Sequence, residues 1–178
     1  MVAVPEILTR AQCGLLPPNL NRLEVATPGQ LVGVTVHCTV TPTADPLATW
    51  RDIQSAEMRG ADPSHDTYGD IAYNAGVTLD GRILTGRDRQ WVGAHATSTN
   101  NVANRITIGV ALIGTGGTIT PAAELALREC LALAHLAFGH APLIFDHLDW
   151  RALGGIATSC PDPPTVAFVA QLKAEARQ

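Results

Sequence analysis

At 178 residues the chain is long enough to bury one substantial core, and 46% apolar against 16% charged residues excludes a disordered polypeptide. A net charge of −4 with no Lys/Arg cluster argues against nucleic-acid binding by bulk electrostatics. No apolar run is long enough to cross a bilayer, and Met1 to Glu6 has neither the charged nor the apolar region of a signal peptide. The expectation is a globular, monomeric protein without membrane insertion, signal peptide or anchor.

Residues 1–30 hold Pro5, Pro17, Pro18 and Pro28 without clear periodicity and read as an N-terminal wrapping segment, leaving 31–178 as the main body of a single domain. Val32, Val34 and Val36 alternate as a strand that delivers His37 at its end. Asp45-Pro46 opens a helix carrying Leu47, Trp50 and Ile53 and closed by Gly60; a polar loop with His65 follows. Ile71 to Leu79 alternates as a strand, Asp80-Gly81 signals a hairpin, and Arg82 to Thr85 returns. Ile106 to Ile113 is almost wholly apolar, as expected of a central strand. Thr120-Pro121 caps a helix that runs to Phe138 and stops at Gly139. Leu143 to Phe145 reads as a short buried strand that presents His147 just beyond its end, and Pro164 opens a last amphipathic helix. The predicted class is α/β: one domain, a central mixed sheet flanked by helices, with a cleft at the strand ends.

Four cysteines, Cys13, Cys38, Cys130 and Cys160, are too widely spaced for a disulfide framework. Cys130 and Cys38 read as core, and the pairing of Cys13 stays open. Two imidazoles, His37 and His147, and the Cys160 thiol come from three separate segments. Brought together by a fold, they form a borderline-soft donor set suited to one Zn²⁺, with a fourth position left for water as in catalytic sites. The spacing is not a local metal motif, so the order of the flanking segments matters.

Those segments resemble the type-2 N-acetylmuramoyl-L-alanine amidases of the peptidoglycan recognition protein and phage lysozyme superfamily. The likeness runs in order through Ile7 to Gly14, Val36-His37-Cys38-Thr39, Asp70-Ile-Ala-Tyr73-Asn74 and Asp80-Gly to Gly86-Arg87. It continues through Val92-Gly-Ala-His95-Ala96, Ile108 to Gly114 and Ala157-Thr158-Ser-Cys160-Pro161. The resemblance implies a zinc hydrolase of bacterial peptidoglycan that cuts the amide between N-acetylmuramic acid and the L-alanine of the stem peptide. It assigns His37, His147 and Cys160 to the metal, Tyr73 and Thr158 to the water or the developing oxyanion, and His95 and Asn74 to the substrate cleft.

A core role for Tyr73, a turn role for Thr158 and a structural role for His95 remain open at this level. Asp146 and Asp149 are either acceptors that orient His147 or solvated acids. His65 is a solvated or cleft-rim residue, and His135 and His140 are surface or packing residues. Two positions depart from the family pattern. Ala111 stands where the cytosolic recycling amidases of the superfamily carry a Glu base, which places the chain with the recognition protein and phage lysozyme branch. Asp149-Trp150 and a Gly-Gly pair replace the usual residues after the His. The alternative reading is a peptidoglycan-binding module without catalysis; that branch loses the Cys ligand, typically to Ser, whereas this chain keeps Cys160. Without a wall-binding repeat or basic surface, the expected setting is a phage lysin released from the host cytoplasm at lysis.

Overall fold

The computed structural model describes residues 4–27, 29–39, 44–59, 68–114, 119–156 and 158–177. Gly60, His65, Pro28 and Ala157 therefore lie outside the described residues. Six strands form one mixed sheet: β1 (Ile7–Leu8), β2 (Gly33–Cys38), β3 (Ala75–Val77), β4 (Ile83–Thr85), β5 (Thr107–Leu112) and β6 (Leu143–Asp146), in the order β1-β4-β3-β5-β2-β6. Only β3 and β4 pair antiparallel; the others are parallel. Five helices accompany them: α1 (Arg10–Cys13), α2 (Pro46–Arg59), α3 (Val102–Ile106), α4 (Pro121–Phe138) and α5 (Pro163–Glu175).

The alternation in β2 decides the layout. Val34, Val36 and Cys38 pack with Val110 and Leu112 of β5 against α4 and α5, where Leu127, Phe168 and Val169 complete a core cluster. Thr35 and His37 fall on the other face by the two-residue period of a strand. There Trp50 of α2, fully buried, joins Ile71, Leu84, Ala111 and Ile113 in a second cluster. His37 stands opposite Ala111 in the β2–β5 register, one residue before the carboxyl end of both strands.

Helix ends follow the sequence signals. Thr120 Oγ1 accepts from the Ala123 N–H and Gly139, at φ 76°, closes α4. Asp162 caps α5 through the Thr165 N–H, one residue before the Pro163 start. Asp45 Oδ1 accepts from the Ala48 N–H at the start of α2.

Three expectations are corrected. The N-terminal segment does not merely wrap: Ile7–Leu8 pairs in parallel with Ile83–Leu84, and α1 carries a Thr9/Gln12 capping box. Elements of two and four residues are too short to show a period. Residues 71–74 are not strand: their backbone groups are taken partly by side chains and partly by the Gly86, Arg87, Ala94 and Gly109 backbone instead of a strand ladder. The Arg87 guanidinium donates to the carbonyls of Ile71, Val92, Tyr68 and Asp70, and the Ala72 N–H donates to Glu57. Third, β6 is an edge strand with Leu143 57% exposed, not a buried one.

Candidate metal centre

The three proposed ligands come from three elements that end at one place. His37 is the penultimate residue of β2, and His147 opens the 3-10 turn His147–Leu153 that follows β6. Cys160 lies in the connection before α5. That turn is held by its own cap: Asp146 accepts from the Leu148 and Asp149 N–H groups, while Asp149 accepts from the Asp146 N–H. Lys173 Nζ of α5 sits 3.3 Å from Asp146 and 2.6 Å from Asp149. The two acids thus position His147 through the backbone of its turn.

His37 Nδ1 lies 3.1 Å from His147 Nδ1 and 3.5 Å from Cys160 Sγ, and the ligand atoms of the three residues fall within 4.8 Å of one another. A tetrahedral zinc ion, with bonds of about 2.0–2.1 Å to nitrogen and 2.3 Å to sulfur, separates its ligands by about 3.3 Å between nitrogens and about 3.6 Å between nitrogen and sulfur. The donor spacing fits that ion. One further observation agrees: the Cys160 sulfur accepts the Cys38 N–H at 3.3 Å, a contact that favours thiolate.

Burial dominates the electrostatics. It holds His37 well below the usual imidazole range, helped by His95 and His147, and it brings His95 down to about 4. His147 is lowered less far, also by burial, with Asp146 opposing. The neighbouring Cys38 side chain and then burial raise the Cys160 thiol, so a metal must displace a proton from it. None of the four cysteines is in a disulfide and all are buried, Cys130 in α4 and Cys38 beside Cys160.

Tyr73 meets the site directly. Its ring packs edge-on against His37 at 5.2 Å and stacks on Trp50 at 6.1 Å. Burial pushes its hydroxyl above the normal phenol range, so the group is a proton donor and not a base. Thr158 Oγ1 accepts the Cys160 N–H at 3.0 Å, which leaves its own proton for donation. That contact is the turn geometry open at the sequence level, and it keeps the hydroxyl beside the ligand loop.

His95 is buried, and Asn74 is half-buried and tied to backbone. His95 is 5% exposed, and its Nδ1 and Nε2 face His37 Nε2 at 3.0 Å and the Thr107 carbonyl at 3.2 Å. Asn74 donates to the Arg87 carbonyl and accepts from the Gly109 N–H, and it borders a groove with Ile108, Val110 and α4. That groove lies on the sheet face opposite His37. Trp150 is the residue that sequence reasoning left without a role. Its indole is buried and donates to Thr35 Oγ1 at 3.2 Å, and an apolar ring one turn after a ligand was the available signal. His135 and His140 are exposed.

Residues 27–163 match the family described as N-acetylmuramoyl-L-alanine amidase. The chain is 30% identical to a mouse N-acetylmuramoyl-L-alanine amidase over 71% of its own length and 26% of the mouse protein. It is also 30% identical to peptidoglycan-recognition protein LB of Drosophila melanogaster over 70% of its length and 50% of that protein. It therefore spans between a quarter and a half of these relatives. The solved structure of Drosophila PGRP-LB superposes with a TM-score of 0.71 at 25% identity, covering 88% of each chain. An ectodomain complex of the recognition proteins LCa and LCx bound to tracheal cytotoxin gives 0.74 at 23% identity, covering 89% of this chain and 91% of that one. With a match across most of its length and a mixed sheet that sets two histidines and a cysteine together, the chain belongs to the N-acetylmuramoyl-L-alanine amidase family.

Proposed function

We propose that the protein is a zinc-dependent peptidoglycan hydrolase that cleaves the amide between N-acetylmuramic acid and the L-alanine of the stem peptide. The observation that carries this reading is the complete donor set of His37, His147 and Cys160, with the Tyr73 ring packed against the first ligand. A zinc ion bound by the three residues supplies a nucleophile from water at neutral pH and polarises the amide carbonyl.

The chain's own groups do the rest. Tyr73, kept protonated by burial, donates a hydrogen bond to the attacking water or to the tetrahedral oxygen. Thr158 donates from the ligand loop itself, its hydroxyl oxygen held by the Cys160 N–H. Trp50 and the α2 face hold Tyr73 in place and keep bulk water from behind the site. The family match and the relatives' names support peptidoglycan as substrate.

The setting we favour is lysis of a bacterial wall by a phage lysin, with one monomer as the working unit. The rival role is recognition without cleavage; two of the similar proteins are named as recognition proteins. Elemental analysis separates the two: one zinc per chain in the wild type, lost in Cys160→Ser together with release of stem peptides from sacculi, supports the hydrolase. Sacculus binding without zinc or peptide release would establish the recognition role instead.

A further inference from the structure

Behind His37 the buried polar groups form a directed line. The Thr107 carbonyl can only accept, so the proton of the His95 ring is on Nε2, which faces it at 3.2 Å. A buried imidazole with no carboxylate against it among the described residues is neutral, so His95 Nδ1 is then an acceptor. His37 Nε2 lies 3.0 Å from it and must donate. The remaining nitrogen of His37, Nδ1, is left unprotonated and faces His147 and Cys160.

We propose that His95 is a positioning residue: it fixes the tautomer and ring orientation of His37, so that the Nδ1 lone pair is presented to the metal. The inference rests on the reading of His37 as a ligand. A backbone carbonyl is the ultimate anchor of the line, and β5 holds it in the same sheet as His37.

The packing around His95 supports this independently. A Cβ at Gly109 would stand 2.5 Å from His95 Cγ, and one at Gly93 would stand 2.7 Å from His95 Cδ2. Neither glycine is at a positive φ, so backbone conformation does not require them. What their missing side chains provide is a slot for the imidazole between the sheet and the Val92–Ala96 segment. The Asn104 side chain fixes that segment by accepting the His95 and Ala96 N–H groups at 2.8 and 3.0 Å. Two glycines and an asparagine thus hold one ring at hydrogen-bond distance from a ligand, and a ring fixed this way is how ligating histidines are commonly oriented.

The test uses two measurements. Long-range ¹H–¹⁵N spectra of the metal-free protein report histidine tautomers directly; both His37 and His95 should be protonated on Nε2. Zinc affinity by chelator competition should then fall on the order of 10- to 100-fold in His95→Phe, which keeps a ring but no acceptor. His95→Asn, whose side-chain oxygen can take the place of Nδ1, should recover part of the loss. Circular dichroism of the metal-free variants checks folding, and the spectrum of the wild type decides the matter even where a variant does not fold. A proton on His95 Nδ1, or His95→Phe binding zinc as tightly as wild type, overturns the proposal. Failure of the wild type to bind zinc would sink the metal reading instead, while the tautomer spectrum still tells whether His95 sets His37.

Discussion

The Trp150 indole N–H donates to Thr35 Oγ1 across 3.2 Å, and this bond ties the turn that carries His147 to the strand that carries His37. The line continues inward: Thr35 Oγ1 and Thr107 Oγ1 are 2.8 Å apart, and Thr107 Oγ1 donates to the Ala103 carbonyl at 2.7 Å. Since the last acceptor is a carbonyl, the three donors all point the same way. Two ligands from distant parts of the chain are thereby fixed to one buried polar layer. Trp150→Phe keeps most of the ring packing against Phe145 and Ala103 but removes the donor. The expected cost is about 1 kcal/mol of stability, seen in denaturant unfolding, together with weaker zinc binding. An unchanged zinc affinity would show that the turn is held by its Asp146–Asp149 cap alone.

Tyr73→Phe and Thr158→Ala separate chemistry from metal binding. Neither side chain is placed as a ligand, so zinc content should stay near one per chain. Turnover of peptidoglycan should fall on the order of 10²-fold for loss of one oxyanion donor. Single-turnover assays beside elemental analysis check this, and wild-type turnover in both variants would remove the assigned roles.

Glu57 gives a pH signature. Burial raises its carboxyl to about 7 from an ordinary value of 4.5, despite the Ala72 N–H that lowers it. The unfolded chain loses that proton first, so between pH 4.5 and 7 the native state binds more protons and stability falls as pH rises. Each pH unit is worth about 1.4 kcal/mol, which gives about 3 kcal/mol across the window as an upper bound. Glu57→Gln retains an acceptor for the Ala72 N–H and carries no charge, so it should gain on the wild type from pH 4.5 to 7 and hold that gain above. The buried histidines act in the opposite sense below pH 6.5, and taking the difference between the two proteins cancels them. Parallel stability–pH curves for the two would contradict the burial of this carboxyl.

Gly109→Ala should act at a distance. The new methyl group would meet the His95 ring, so the ring or the strand must shift. Overpacking of this kind costs about 1–3 kcal/mol. The shift should also loosen the His95–His37 contact and weaken zinc binding, measurable by chelator competition, whereas an alanine that leaves both quantities unchanged would show a slot with room to spare.

Much of this fold is legible in the sequence because local signals decide it. The valine alternation of β2, the apolar run of β5 and the Thr120-Pro121 to Gly139 limits of α4 are each set within a few residues. The Asp80-Gly81 hairpin is legible too, as a three-residue turn with Gly81 at φ 89°. Residues 71–74 are not, because most of their hydrogen bonds go to distant groups: the Glu57 and Arg87 side chains and the Gly86, Arg87, Ala94 and Gly109 backbone. The three candidate ligands follow from the order of the motifs, and the structure brings their side chains together. What order could not tell was which way His95 and Asn74 point. One is drawn behind His37 by two missing side chains, and the other is clamped to backbone on the opposite face.

Fragment analysis of a peptidoglycan digest tests the central claim most directly. Zinc-loaded protein is incubated with purified sacculi, and the products are read by mass spectrometry. The expected products are stem peptides with a free L-alanine amine and intact glycan strands, absent from a parallel digest with Cys160→Ser. New reducing sugar ends, cuts within the stem peptide, or no products at all from the zinc-loaded protein would contradict it.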